Sequence, residues 1–288
     1  MTEAKKPTAV LFISCPDQRG LVARVAEFLF RHNGNIIHSD HHTDTESGLF
    51  VMRVEWELDG FAIPRQQIGQ EFQPLAESLK MNWEIHYSDH CPRVAIMVSK
   101  YSHCFYDLLW RWSAGELRGN VSLVIGNHPD LQPMAERFGI PFHVFPITKE
   151  TKQEQEAKEL ELLERERINL IVLARYMQIL SPSFVERHPF RIINIHHSFL
   201  PAFIGSHPYQ QAHQRGVKLI GATSHYVTAN LDEGPIIEQD VVRITHRESV
   251  EDLIRKGRDL ERIVLARAVR LHLENRVFVC GRKTIVFE

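Results

Sequence analysis

The chain opens with alternating blocks of apolar and polar residues whose period changes from element to element. Residues 9–15, AVLFISC, are an unbroken run of strand formers, closed by the turn residues of PDQRG. Leu21, Val22, Val25, Phe28 and Leu29 then recur at helical spacing. Asn33 and Gly34 follow as residues that tolerate a left-handed helix end. IIHSDHHTD and GLFVMRVEWEL read as two strands joined by a turn at 46–48, a second helix falls within 64–80, and WEIHY is a fourth strand. The order βαββαβ predicts a ferredoxin-like antiparallel sheet with both helices on one face.

The polar segment 87–93, with Pro92, marks a boundary, giving domains at 7–88 and 93–288. Beyond it strands and helices alternate. VAIMVS, VSLVIGN, PFHVFPI, NLIVLAR and RIINIHH read as strands. CFYDLLWRWSAGEL, LQPMAERFG and residues 152–166 read as helices, the last charged and exposed. ATSHYVT is a further strand, residues 249–277 form a long amphipathic helix, and GRKTIVF ends the chain as a strand. This α/β alternation predicts a Rossmann-like, mostly parallel sheet covered on both faces, with ligands at the carboxyl ends of its strands.

Composition narrows the function classes. A formal charge of −2 supplies no field for nucleic acid or an anionic membrane, and no apolar run reaches membrane-spanning length. Cys15, Cys91, Cys104 and Cys280 form no CxxC pair, as expected of a reduced, cytoplasmic protein. His38, His41 and His42 lack a soft-metal partner and are expected on a solvated strand face. No metal and no cofactor are expected. The segment VSKYSHCF, at 98–105, joins strand to helix without a glycine, so a phosphate cradle is not expected there.

The polar residues of INIHHSFLPAF sit at the end of a strand that otherwise reads as buried. Asn194 and His196 share a strand face, and His197 is expected to point the other way. An imidazole suits acid/base work near neutral pH, and a carboxamide donates a hydrogen bond to an oxyanion without titrating. The later loop NLDEGP carries an acidic pair, Asp232 and Glu233, and a turn-forming Gly-Pro.

Two resemblances sharpen this reading. Residues 7–88, on the Asp17–Gly20 turn, the apolar helix after it and NGNI, resemble the ACT domain, a small-molecule sensing module. The resemblance makes Asp17, Gly20 and Asn35 candidates for a regulatory amino-acid site. Residues 93–288 are similar to the formyl-transferase fold that handles 10-formyltetrahydrofolate. The similarity rests on Asn194-Ile-His196, Ser198-Phe-Leu200-Pro201 and Leu231-Asp232-Glu-Gly234-Pro235. With both halves present, the chain resembles the formyltetrahydrofolate deformylase family.

That resemblance implies hydrolysis of 10-formyltetrahydrofolate to tetrahydrofolate and formate, in balancing one-carbon folate pools linked to purine biosynthesis. It implies Asn194, His196 and Asp232 as the catalytic set. It also implies a folate-lining segment at Arg175, Tyr176, Met177, Gln178, Ile179 and Leu180, and a homodimer or homotetramer. Family members often carry a basic residue at the place of Gln178, and a lysine is expected where His207 stands. The competing readings are a formyltransferase with an amine acceptor such as glycinamide ribonucleotide, and an amino-acid sensor that only binds folate.

Overall fold

The computed structural model describes residues 6–202 and 208–287; His207 lies outside them. Two compact units result, Met1–Cys91 with Ile285–Glu288, and Pro92–Thr284.

The first unit runs β1 (Thr8–Pro16), α1 (Leu21–Arg31), β2 (Ile36–Asp44), β3 (Leu49–Glu57), α2 (Ile68–Ser78) and β4 (Asn82–Tyr87). Its sheet has the order β2-β3-β1-β4, with antiparallel neighbours throughout. Alternation decides what is buried. Leu11 and Ile13 of β1 and Met52, Val54 and Trp56 of β3 share one face, where they meet Val25 and Leu29 of α1 and Phe72 of α2. Both helices therefore cover the same face, as the βαββαβ order predicts. Asn33 takes the left-handed conformation after α1, with φ 58°.

The second unit begins with β5 (Arg93–Val98), α3 (His103–Ser113), β6 (Asn120–Gly126), α4 (Gln132–Arg137) and β7 (Phe142–Val144). It continues with α5 (Lys152–Arg165), β8 (Leu170–Ala174), α6 (Pro182–Glu186), β9 (Ile192–His196), α7 (Pro208–Arg215), β10 (Leu219–Tyr226), β11 (Ile236–Arg243) and α8 (Val250–Leu273). The seven strands lie in the order β11-β10-β9-β8-β5-β6-β7. Strands from β9 to β7 are parallel, and β10 runs antiparallel to both neighbours. The central strands β5 and β8 are apolar and buried almost throughout, because helices cover both faces. Helix α8 opens on a capping box, Ser249 with Asp252, which fixes its start one residue after the predicted one.

Sequence periodicity misses β11, α6 and α7. Strand β11 lies at a sheet edge and mixes charge with apolar residues, so alternation is blurred. The chain's last strand, β13 (Lys283–Val286), pairs with β12 (Val277–Cys280) in a separate ribbon.

Helix α5 corrects the expectation of an exposed charged helix. Its Glu156 and Glu159 are 5% and 0% exposed. Each has a partner in the segment that follows β8. Tyr176 Oη donates to Glu159 Oε1 (3.0 Å), and the Ser181 amide donates to Glu156 Oε1 (3.1 Å). Lys152, on the same helix, donates to the carbonyl of Ile179 at 2.5 Å. The charges thus serve as tethers rather than as a solvated face.

Burial pushes the Glu159 carboxyl up to about 7, against the Tyr176 hydrogen bond that favours its charged form. A carboxyl raised on folding gives up stability as pH rises. The unfolded chain loses its proton near the ordinary value of 4.5, and the folded chain only near 7. Across that window Glu159 is expected to withdraw about 3 kcal/mol of stability. In Glu159→Gln this contribution to the pH slope should vanish. Urea unfolding at the two ends of the window reads it, and an unchanged slope would remove Glu159 as its source.

Candidate active site

The site is built where β9 ends. Asn194 and His196 are two residues apart on this strand and project to one side of the sheet. Strand β10 lies antiparallel beside it, and its register sets His225 opposite Asn194 and Thr223 opposite His196. The third predicted residue, Asp232, comes from the loop between β10 and β11. It occupies the left-handed region, with φ 55°.

Asp232 Oδ2 lies 3.2 Å from His196 Nδ1, and its Oδ1 lies 3.5 Å from His225 Nε2. Asn194 Nδ2 lies 3.3 Å from His225 Nε2. The structure therefore brings Asn194, His196 and Asp232 together and adds His225 to them. His196 is 6% exposed and His225 2%, so these contacts act with little solvent screening. Burial raises the Asp232 carboxyl, but the hydrogen bond from His196 and the adjacent His225 ring outweigh it and hold the group well below the usual carboxylate range.

Tautomers follow from the partners. His225 Nδ1 sits 2.9 Å from the Tyr226 carbonyl, which only accepts, so Nδ1 carries a proton. In the neutral ring, Nε2 then accepts from Asn194. His196 Nδ1 donates to Asp232, which leaves Nε2 as the lone-pair nitrogen. That atom is buried and has no hydrogen-bond partner among the described residues.

Loop geometry explains the spacing around these groups. A Cβ on Gly234 would overlap the carbonyl oxygen of Tyr226, so only glycine lets the Asp232 loop lie against β10. Tyr226 N donates to the Pro235 carbonyl at 2.9 Å and closes that contact. Gly234→Ala should displace the loop and lower turnover by about a hundredfold, as small misplacements of catalytic groups do. Steady-state kinetics on a folded variant would test this; wild-type turnover would remove the geometric role of Gly234.

The turn after His196 is pinned in the same way. Thr223 Oγ1 donates to the Ser198 carbonyl (2.9 Å) and accepts from the Leu200 amide (3.0 Å) and from Gln239 Nε2 (2.9 Å).

His197 departs from the sequence expectation. Its ring centroid lies 5.2 Å from that of His196, so it does not turn away. The strand stops at His196, and strict alternation stops with it. Burial, and then the Arg175 cation, lower His197 to about 4, so it is neutral across the physiological range.

The segment 175–180 splits in two. Met177 and Ile179 are exposed apolar side chains, at 52% and 59%, and Gln178 is half-buried beside them. Leu180 is buried in the core, and Tyr176 is buried on Glu159. Arg175, with φ 62°, turns toward α8, where its Nε lies 3.5 Å from Glu261 Oε2. Ser99 Oγ accepts from the Met177 amide at 3.0 Å and fixes the segment's start.

The regulatory candidates are not gathered within one chain. Asp17 and Gly20 lie past the carboxyl end of β1. Asn35 binds Glu57, which pairs with Thr8 at the other end of that strand. The two groups are separated by about 25 Å of extended chain. All three are exposed.

Among the described residues, one set of possible metal ligands converges: His103, Cys104 and Glu261. Its donors suit a cation poorly. Glu261 is already bonded to His103, Arg175 lies beside it, and burial holds the Cys104 thiol well above its usual range.

A buried histidine–carboxylate pair, with a carboxamide beside it, thus lies at the carboxyl edge of a Rossmann-like sheet. Residues 92–269 match the formyl transferase family model, and residues 9–77 match the ACT domain. A formyltetrahydrofolate deformylase from Synechocystis is 60% identical over 280 residues, 97% of this chain and 98% of that protein. The crystal structure of a formyltetrahydrofolate deformylase from Pseudomonas syringae superposes with a TM-score of 0.97 at 47% identity, covering 100% of this chain and 96% of that one. A glycinamide ribonucleotide transformylase from Symbiobacterium toebii matches 70% of this chain and 97% of its own, with a TM-score of 0.66 and 32% identity. The chain belongs to the formyltetrahydrofolate deformylase family.

Proposed function

We propose that the chain hydrolyses 10-formyltetrahydrofolate to tetrahydrofolate and formate with Asn194, His196 and Asp232 as its catalytic groups. The observation that carries the reading is the Nε2 of His196, which has no partner among the described residues while its other nitrogen is held by Asp232. A nitrogen lone pair in a buried, polar-lined site is poised to take a proton from water.

In this reading, the water oxygen attacks the formyl carbon as Nε2 takes one of its protons. The positive charge that develops on the ring is balanced by Asp232. The carbonyl oxygen becomes an oxyanion, to which Asn194 donates the amide proton not spent on His225. The proton on Nε2 passes to N10 as the carbon–nitrogen bond breaks, and the one-carbon unit leaves as formic acid, which gives its remaining proton to solvent and becomes formate. Met177 and Ile179 supply an apolar wall for the flat pterin, and backbone groups of the same segment hydrogen-bond its edge. No step requires a cofactor or metal.

Oxygen-18 water tests the route. One labelled oxygen should appear in each formate, and unlabelled formate would contradict attack by water.

The reading extends to a cytoplasmic enzyme that balances one-carbon folate pools and bears on purine synthesis, assembled as a homodimer or homotetramer. Its ACT domain takes a small amino acid, with Asp17, Gly20 and Asn35 in the site. Their separation within one chain favours a pocket completed between two copies. Calorimetric titration with glycine and with methionine reads this, and absence of binding heat with either overturns it for those two ligands.

A further inference from the structure

We propose that Glu261, with His103, Arg175 and Tyr209, fills the crevice that an amine acceptor would enter, and so confines the formyl acceptor to water. The inference deepens the hydrolytic reading and rests on it.

The location comes from topology. The chain leaves β5 for β6 on one side and returns through α5 to β8 on the other, so the strand order reverses between β5 and β8. Loops part at such a point and open a crevice at the carboxyl ends of the strands, where these sheets seat ligands. Here the crevice is occupied by the protein's own side chains. His103 follows β5, Arg175 follows β8, Tyr209 comes from α7 and Glu261 from α8.

His103 and Tyr209 are hydrogen-bonded to Glu261, and Arg175 faces the same carboxylate as its counter-charge. His103 Nε2 lies 2.7 Å from Glu261 Oε2, and Tyr209 Oη donates to Glu261 Oε1 at 2.8 Å. Arg175 Nε lies 3.5 Å from the same carboxylate, with its guanidinium 5.0 Å from the centre of the Tyr101 ring. Glu261 is 1% exposed, Tyr209 8% and Arg175 9%. Burial raises the Glu261 carboxyl, and the His103 hydrogen bond and Arg175 charge outweigh it, so the carboxylate stays ionised. Helix α8 is shaped for the arrangement. Gly257 lies one turn before Glu261, and a Cβ there would overlap the Tyr209 hydroxyl.

The cluster adjoins the catalytic groups. The His197 ring lies 5.2 Å from His196 and 6.2 Å from Tyr209, centroid to centroid. An amine that attacks the formyl carbon must bring its nitrogen, with its substituents, within about 3–3.5 Å of that carbon. Water needs no room for substituents. With an amine, the new carbon–nitrogen bond forms, the bond to N10 breaks, N10 takes the proton and an N-formyl amine leaves. A closed ion-pair cluster excludes that product by sterics and by the loss of its own buried bonds. The Symbiobacterium transformylase shares this scaffold at a TM-score of 0.66, so the choice between acceptors is a local matter.

Glycinamide is the probe. Full-length wild type and His103→Ala/Tyr209→Ala are supplied with 10-formyltetrahydrofolate and glycinamide, and the ratio of N-formylglycinamide to formate is read. The ratio should rise about tenfold or more in the double variant. In Tyr209→Phe, which keeps the ring, it should stay near wild type. If the double variant loses its cooperative melting transition, Gly257→Ala replaces it, because its methyl meets the Tyr209 side chain and forces it out of the notch. A folded variant that releases formate at an unchanged ratio overturns the inference and leaves hydrolysis intact. Wild type that makes no formate without amine overturns the hydrolytic reading itself.

Discussion

His196→Ala is expected to lower kcat for formate release by about a thousandfold or more while changing folate affinity little. Among the described residues, the substitution removes the one base in the site whose free nitrogen lies opposite a bound carboxylate. Asn194, His225 and Asp232 remain, but none offers a lone pair held in that place. His225 cannot substitute, because its Nδ1 is committed to the Tyr226 carbonyl and its Nε2 to Asn194. Folate binding should survive because the exposed apolar pair Met177 and Ile179 belongs to a different strand end. Single-turnover kinetics separates the two effects. A weakened folate affinity with chemistry intact would make His196 a binding group, contrary to this account.

Asp232→Asn should cost almost as much, about a thousandfold in kcat, for a different reason. The side chain keeps its size, so the loop over Tyr226 is retained. An amide in this position offers an N–H to His196 Nδ1 and drives the ring proton to Nε2. The base is then present in the wrong tautomer, and no negative charge balances the imidazolium. The same variant has a stability signature. The wild-type carboxylate has a folded value below its ordinary 3.8, so its contribution is complete above that pH and is lost as pH falls through the folded value. Asp232→Asn should lack this acid-limb loss. Kinetics near neutrality and unfolding at acid pH measure the two parts independently, and a variant with wild-type turnover would exclude the carboxylate from catalysis.

The convergence of Asn194, His196 and Asp232 was legible because its signals are local. Two polar residues at alternate positions on an apolar strand project to one face whatever the rest of the fold does, and a Gly-Pro turn marks the loop that bears the carboxylate. His225 lies in a segment read as a strand, yet its role depends on β10 lying antiparallel beside β9. The sequence does not carry that pairing, since five parallel strands precede it. Glu261 was less accessible still. On an amphipathic helix it reads as one more solvent-facing charge, and its partners His103 and Tyr209 stand 158 and 52 residues away. Glu159 hid in a run of charges for the same reason: what buries it is Tyr176, supplied by a loop after the next strand. His197 failed in the opposite sense, because alternation was extended one residue past the strand's end.

Formate release by the purified chain, supplied with 10-formyltetrahydrofolate and no amine of any kind, tests the central claim most directly. Formate and tetrahydrofolate should appear in equal amounts, and His196→Ala should abolish both. If formate release begins only when an amine such as glycinamide ribonucleotide is added, water is not the acceptor and the account is wrong.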